Sequence, residues 1–145
     1  MCALPVRPTL AEVDNPILLD TDVASDIMKG RLHPADGVLL GHTWCVSFVT
    51  VGEFAKGATA AAWDLRKWTA LAGWLRDLVV LPYDIQVSYT WGRLAGAAQR
   101  RGRPQPVNDM WVAAVALTNG LPLETRNVKD YEAFVEHHGL VLVTR

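Results

Sequence analysis

The sequence predicts an α/β fold around a parallel sheet, and three observations carry that prediction. Pro16-Ile17-Leu18-Leu19 is a continuous apolar run without polar alternation, which suits a strand covered on both faces. The run ends abruptly in Asp20-Thr21-Asp22, and Ser25-Asp26-Ile27-Met28 then has helix-like composition, so strand passes to helix through an acidic turn. Further short apolar strands follow down the chain, and helical patterns lie between them. The chain has 145 residues, half of them hydrophobic, enough for one domain with a true core. Residues 16–145 read as that domain. Residues 1–15 carry Pro5 and Pro8 without periodicity and read as a loose extension.

The first turn places Asp20 at the carboxyl end of a strand, the edge where open α/β sheets bind ligands. Asp22 is also explained as a helix cap. Gly30 to Gly41 reads as a loop around Pro34. Thr43 to Val51, rich in β-branched and aromatic residues, predicts a second strand. Gly52 to Gly57 is helical and puts Glu53 just past that strand, where the helix dipole alone also favours an acid. Ala60 to Leu78 predicts one long helix, with Leu65, Trp68, Leu71, Leu75 and Leu78 as its core stripe. Trp63 and Trp74 lie on a second face, which offers either extra packing or a protein-docking surface.

Val79 to Leu81 predicts a short strand stopped by Pro82. A helix follows over 84–99, weakened at Gly92 and Gly96 by roughly 1 kcal/mol each relative to alanine. From Ile85 to Asn108 there is no carboxylate but four arginines, Arg93, Arg100, Arg101 and Arg103. These fit a solvated helix end or a set of phosphate contacts. A proline-bearing loop then leads to a helix from Met110 to Thr118, with Asn108 as its expected N-cap and Asp109 in its first turn. Asn119-Gly120 closes it. Leu121 to Thr125 predicts a strand leaving through Arg126 and Asn127, Val128 to His137 a helix, and Leu140 to Val143 a last strand.

Composition narrows the function. A net charge of −1 predicts neither nucleic acid nor membrane from the whole-molecule balance, so any basic surface is local. Cys2 and Cys45 form no metal spacing and no disulfide framework, consistent with a reducing cytoplasm. No signal peptide pattern opens the chain, and its longest helical apolar run is too short for a bilayer. Asp20, Glu53 and Asn127 each follow a short strand, while Asp109 opens a helix. In a parallel sheet these positions can converge at one carboxyl-end crevice. Carboxylates gathered there raise one another's pKa unless a cation neutralises them, and hard oxygen ligands without Cys or His point to Mg²⁺ or Mn²⁺. His33, His42, His137 and His138 fall away from the strand ends.

These residues also carry a resemblance. Leu18-Leu19-Asp20-Thr21-Asp22, Thr50-Val51-Gly52-Glu53, Asn108-Asp109-x-Trp111-Val112-Ala113-Ala114 and Leu123-x-Thr125-Arg126-Asn127-x-x-Asp130-Tyr131 resemble the successive motifs of PIN domains. The likeness is to the VapC-type ribonuclease toxins of bacterial toxin–antitoxin pairs and spans about residues 16–143. It implies a three-layer α/β/α sandwich, Mg²⁺-dependent endoribonuclease activity and inhibition by a cognate antitoxin. Asp20, Glu53 and Asp109 match the family's first three acids. Asn127 stands where many members have an aspartate, so Asp22 or Asp130 is left to supply that charge.

On this reading Asp20 and Asp109 hold the metal, and Glu53 completes the coordination or orients the attacking water. Thr125 and Asn127 position these groups, and the four arginines hold flanking phosphates of RNA. A homodimer in the cytoplasm is expected. Two alternatives remain: a catalytically silent scaffold of the same fold, allowed by Asn127, and a haloacid-dehalogenase-like phosphatase, whose motif Ala24 breaks.

Overall fold

Ile17, Leu18 and Leu19 are completely buried, as a strand covered on both faces requires. In the computed structural model, which describes residues 8–31 and 41–143, they form β1 (Pro16–Leu19). It pairs in parallel with β2 (Thr43–Ser47) on one side and with β4 (Leu123–Glu124) on the other, and β3 (Val79–Leu81) pairs with β2. The order is β3-β2-β1-β4. The expected last strand shrinks to a single parallel bridge, Leu123 to Leu142, held by two 2.9 Å hydrogen bonds from Leu123 N–H to Val141 O and from Val143 N–H to Leu123 O.

Strand side chains alternate between two cores. Leu18, Cys45, Val79 and Leu81 point to one face, packed against α4 (Ile85–Arg101), α5 (Val107–Asn119) and α6 (Val128–His138). Ile17, Leu19 and Val46 point to the other, against α1 (Thr21–Met28), α2 (Phe48–Ala60) and α3 (Leu65–Arg76). The result is the expected three-layer α/β/α sandwich. Leu10, in a short 3-10 turn (Leu10–Glu12), and Val13 lie against the first core. Among the described residues no helix is long and apolar enough to cross a membrane.

Several boundaries differ from expectation for identifiable reasons. β2 stops at Ser47 because the Ser47 hydroxyl caps α2, accepting from the Thr50 N–H at 3.4 Å, so Phe48 to Val51 begin a helix despite their β-rich composition. That helix runs through Gly57. The predicted helix 60–78 is broken at 61–64, where Ala62 has a positive φ of 52° and Asp64 caps α3. Leu65, expected in the core stripe, is 82% exposed in the first turn of α3. Trp68 packs against the second core as expected, and Trp63 and Trp74 join it there, with Trp74 edge-on to Phe54 at 6.0 Å. The second aromatic face therefore contributes packing, with Trp63 and Trp74 half-buried.

α5 starts three residues earlier than predicted, at Val107 rather than Met110, so Asn108 is not its cap. Asp20, not Asp22, caps α1. Gly102 and Gly120 take the left-handed conformation that ends α4 and α5, at φ 69° and 64°. The expected loop over 30–41, with His33 and Pro34, lies mostly outside the described residues, as does Cys2. Cys45 is buried and unpaired, and burial pushes its thiol up to about 11.

Candidate active site

The chain runs from β1 to β2 and β3 on one side and places β4 on the other, so the connections reverse between β1 and β4. That reversal point, at the carboxyl edge, is where open α/β sheets open a crevice. Register then does the rest. Leu19 pairs with Glu124, so the next residues, Asp20 and Thr125, stand side by side as the strands end. The Thr125 hydroxyl donates to Asp20 Oδ2 at 2.5 Å, while Asp20 Oδ1 accepts from the Val23 N–H at 2.9 Å.

Helices bring the other acids to this point. Glu53 comes from the second turn of α2 and Asp109 from the first turn of α5. Asp20, Asp22, Glu53 and Asp109 line one pocket of about 60 Å³, together with Thr21, Asn108, Asn127 and Tyr131. That space suits an ion with a few waters, not a base. Each carboxylate receives an uncharged donor from a different segment. Thr125 serves Asp20, the Asn127 amide serves Asp22 at 2.8 Å, the Asn108 amide serves Glu53 at 2.8 Å, and the Tyr131 hydroxyl serves Asp109 at 3.4 Å. No cationic side chain lines the pocket.

Uncharged donors orient carboxylates without cancelling their charge, and the titration behaviour reflects this. Burial, followed by the negative Asp130 and, more weakly, Asp20 and Glu53, raises Asp109 from the ordinary 3.8 to about 6 against the Tyr131 hydrogen bond. Burial also raises Asp20, although the hydrogen bonds from Thr125 and Val23 oppose it. The Tyr131 phenol is pushed upward, by burial first and then by Asp109, so it remains a donor. Asp130 lies outside the pocket lining and acts on Asp109 only through its field.

Among the described residues no three acidic, His or Cys side chains form a ready-made metal cage. A small hard cation needs less, since one or two carboxylates with water suffice. Asp20 and Asp109, crowded by like charge in a pocket that no cationic side chain lines, fit such an ion.

The predicted arginines separate. Arg93 and Arg100 line a groove along α4, whereas Arg101 and Arg103 line another with Gln105 and the α6 residues Lys129, Glu132, Glu136 and His137. None reaches the acidic pocket. Arg126, by contrast, pairs with the buried Asp26 of α1, to which Arg31 also adds a contact at 3.6 Å. This ties the Thr125–Asn127 turn to α1 and places a weak positive field on Asp20. Arg126 and the Asn108–Glu53 bond were not anticipated. The only sequence signal for Asn108 was its place beside Asp109, which reads equally well as a cap.

Comparison with known proteins agrees with this geometry. The PIN domain family model matches residues 17–145. Ribonuclease VapC4 of Mycobacterium tuberculosis is 34% identical over 122 residues, covering 80% of this chain and 88% of that protein. Ribonuclease VapC5 of the same organism is 33% identical over 112 residues, covering 76% and 82%. The crystal structure of VapBC-5, a member of the VapBC family of toxin-antitoxin systems from M. tuberculosis, superposes with a TM-score of 0.67 at 26% identity, covering 90% of this chain and 98% of that one. The chain belongs to the PIN-domain family and, within it, to the VapC ribonucleases.

Proposed function

We propose that this protein is a metal-dependent endoribonuclease toxin that cleaves RNA phosphodiester bonds in the cytoplasm, uses Mg²⁺ with Mn²⁺ as a substitute, and is neutralised by a cognate antitoxin. The observation that carries the reading is the convergence of Asp20, Glu53 and Asp109 in one pocket at the β1/β4 reversal. The names of the relatives support ribonuclease chemistry, and the VapBC-5 complex supports an antitoxin partner.

Asp20 and Asp109 would hold the cation. When bound there, it would polarise a phosphate and lower the pKa of a water. The chain's own groups supply the order. Thr125 and the Val23 N–H fix the Asp20 carboxylate, and Asn108 fixes Glu53 in position to accept a proton from an attacking water. Asn127 contributes no charge of its own but orients Asp22, so Asp22 supplies the fourth acid of the pocket. Arg101 and Arg103 sit just ahead of the segment that carries Asp109 and are best placed to hold flanking phosphates. Arg93 and Arg100 extend that role along α4. Ile85 and Tyr89, exposed a turn apart on α4, suit the contact of a homodimer.

The test is cleavage of RNA by purified protein with Mg²⁺ and with a chelator, beside Asp109→Asn. Internal cuts that vanish in chelator and in the variant are expected. A phosphoenzyme trapped on Asp20, with no cut RNA, would favour the phosphatase chemistry instead. Metal-bound but inert protein would favour the silent scaffold. Repeating the assay before and after removal of a small co-purifying protein tests the antitoxin.

A further inference from the structure

We propose that Tyr131 is a positioning residue for the acidic centre: its buried hydroxyl holds one oxygen of Asp109, leaving the other to face the ion. The inference rests on the metal reading above and adds a residue that this reading does not need.

Tyr131 is 1% exposed, in α6 one turn beyond Asn127, with its ring fixed 6.1 Å from that of Phe134. Its hydroxyl emerges from this packing into the acidic pocket and donates to Asp109 Oδ1. Asp109 is pressed by Asp20, Glu53 and Asp130, all of the same sign, so a carboxylate without a tether would turn away from them. The 3.4 Å contact is long, and such contacts tighten when a site fills.

The rest of the pocket follows the same pattern. Thr125 holds Asp20 Oδ2, Asn127 holds Asp22 Oδ2 and Asn108 holds Glu53 Oε1. Tyr131 completes the set for the one acid carried at the start of α5. Unlike the others, it can be tested by removing a single oxygen, because phenylalanine keeps the ring and its packing. The role is that of an outer partner that fixes the orientation of a ligand.

The experiment is a calorimetric Mn²⁺ titration of wild type and Tyr131→Phe, with unfolding in chelator and the Mn²⁺ dependence of RNA cleavage measured alongside. Mn²⁺ affinity about tenfold weaker is expected, with cleavage recovering at saturating Mn²⁺. A purely structural role would lower stability in chelator and leave the isotherm unmoved, and superimposable isotherms overturn the proposal. If wild type binds no Mn²⁺ at all, the metal reading falls and this proposal with it. Because Tyr131→Phe keeps every packing contact of the ring, its failure to fold would make the hydroxyl a structural group and overturn the proposal as well.

Discussion

Replacing Asp109 by asparagine should make the metal-free protein more stable at neutral pH. The Asp109 carboxyl group is raised from 3.8 to about 6 by burial and by the neighbouring acids. The folded state therefore holds its proton more tightly than the unfolded chain. Between these two values the native state binds more protons, so stability falls as pH rises. The contribution is fully present below about pH 4 and lost as pH passes 6. A difference of about 2 pH units corresponds to an upper bound of about 3 kcal/mol. Asp109 is partly exposed, and solvent screening reduces the figure to about 1–2 kcal/mol. For a chain of this size that is about 3–6 °C in Tm. Asparagine is nearly isosteric, still accepts from Tyr131 and carries no charge. In chelator at pH 7, Asp109→Asn should unfold above wild type, and the gap should close as pH approaches 4. Added Mn²⁺ should reverse the ranking, since a ligand at 100 times its Kd stabilises by about 2.7 kcal/mol and the variant lacks the site. A variant less stable than wild type at pH 7 in chelator, or a gap indifferent to pH, would refute the electrostatic account.

Two further outcomes follow from particular contacts. Trp74→Ala should cost about 2 kcal/mol in urea unfolding, because the ring packs on Phe54 and the second core, and an unchanged midpoint would return Trp74 to the surface. In a cleavage-dead Asp109→Asn background, Arg101→Ala and Arg103→Ala should each flatten the slope of log RNA affinity against log salt by about 0.7. An unchanged slope in the triple alanine variant of Arg100, Arg101 and Arg103 would mean that RNA enters from another side.

The parts of this fold legible in the sequence are those where one physical requirement dominates. Ile17 to Leu19 is apolar at every position and admits few readings other than a doubly covered strand, so β1 and the place of Asp20 were legible. The places of Asp20 and Asp109 were legible for the same reason, since one follows a strand and the other opens a helix, whereas Glu53, expected just past a strand, reaches the pocket from the second turn of α2. What escaped depended on competition between neighbours. The propensity of Phe48 to Val51 favours a strand, but Ser47 offers a cap that starts a helix instead. Asp64 breaks the apparent long helix in the same way. Asn108 reads as a cap until the chain begins α5 a turn early and frees its amide for Glu53. The arginines cluster in sequence, but the helical twist of α4 and the loop beyond it divide them between two grooves. A run of like charges specifies no face.

The proposed acidic centre is defined by Asp20 and Asp109 binding a divalent cation together. Calorimetric titration of Mn²⁺ into wild type, Asp20→Asn and Asp109→Asn measures this without reference to RNA. The prediction is saturable binding by wild type and, in each variant, a loss beyond the about 10–100-fold that an outer-shell partner costs. Wild-type affinity in either variant would contradict it.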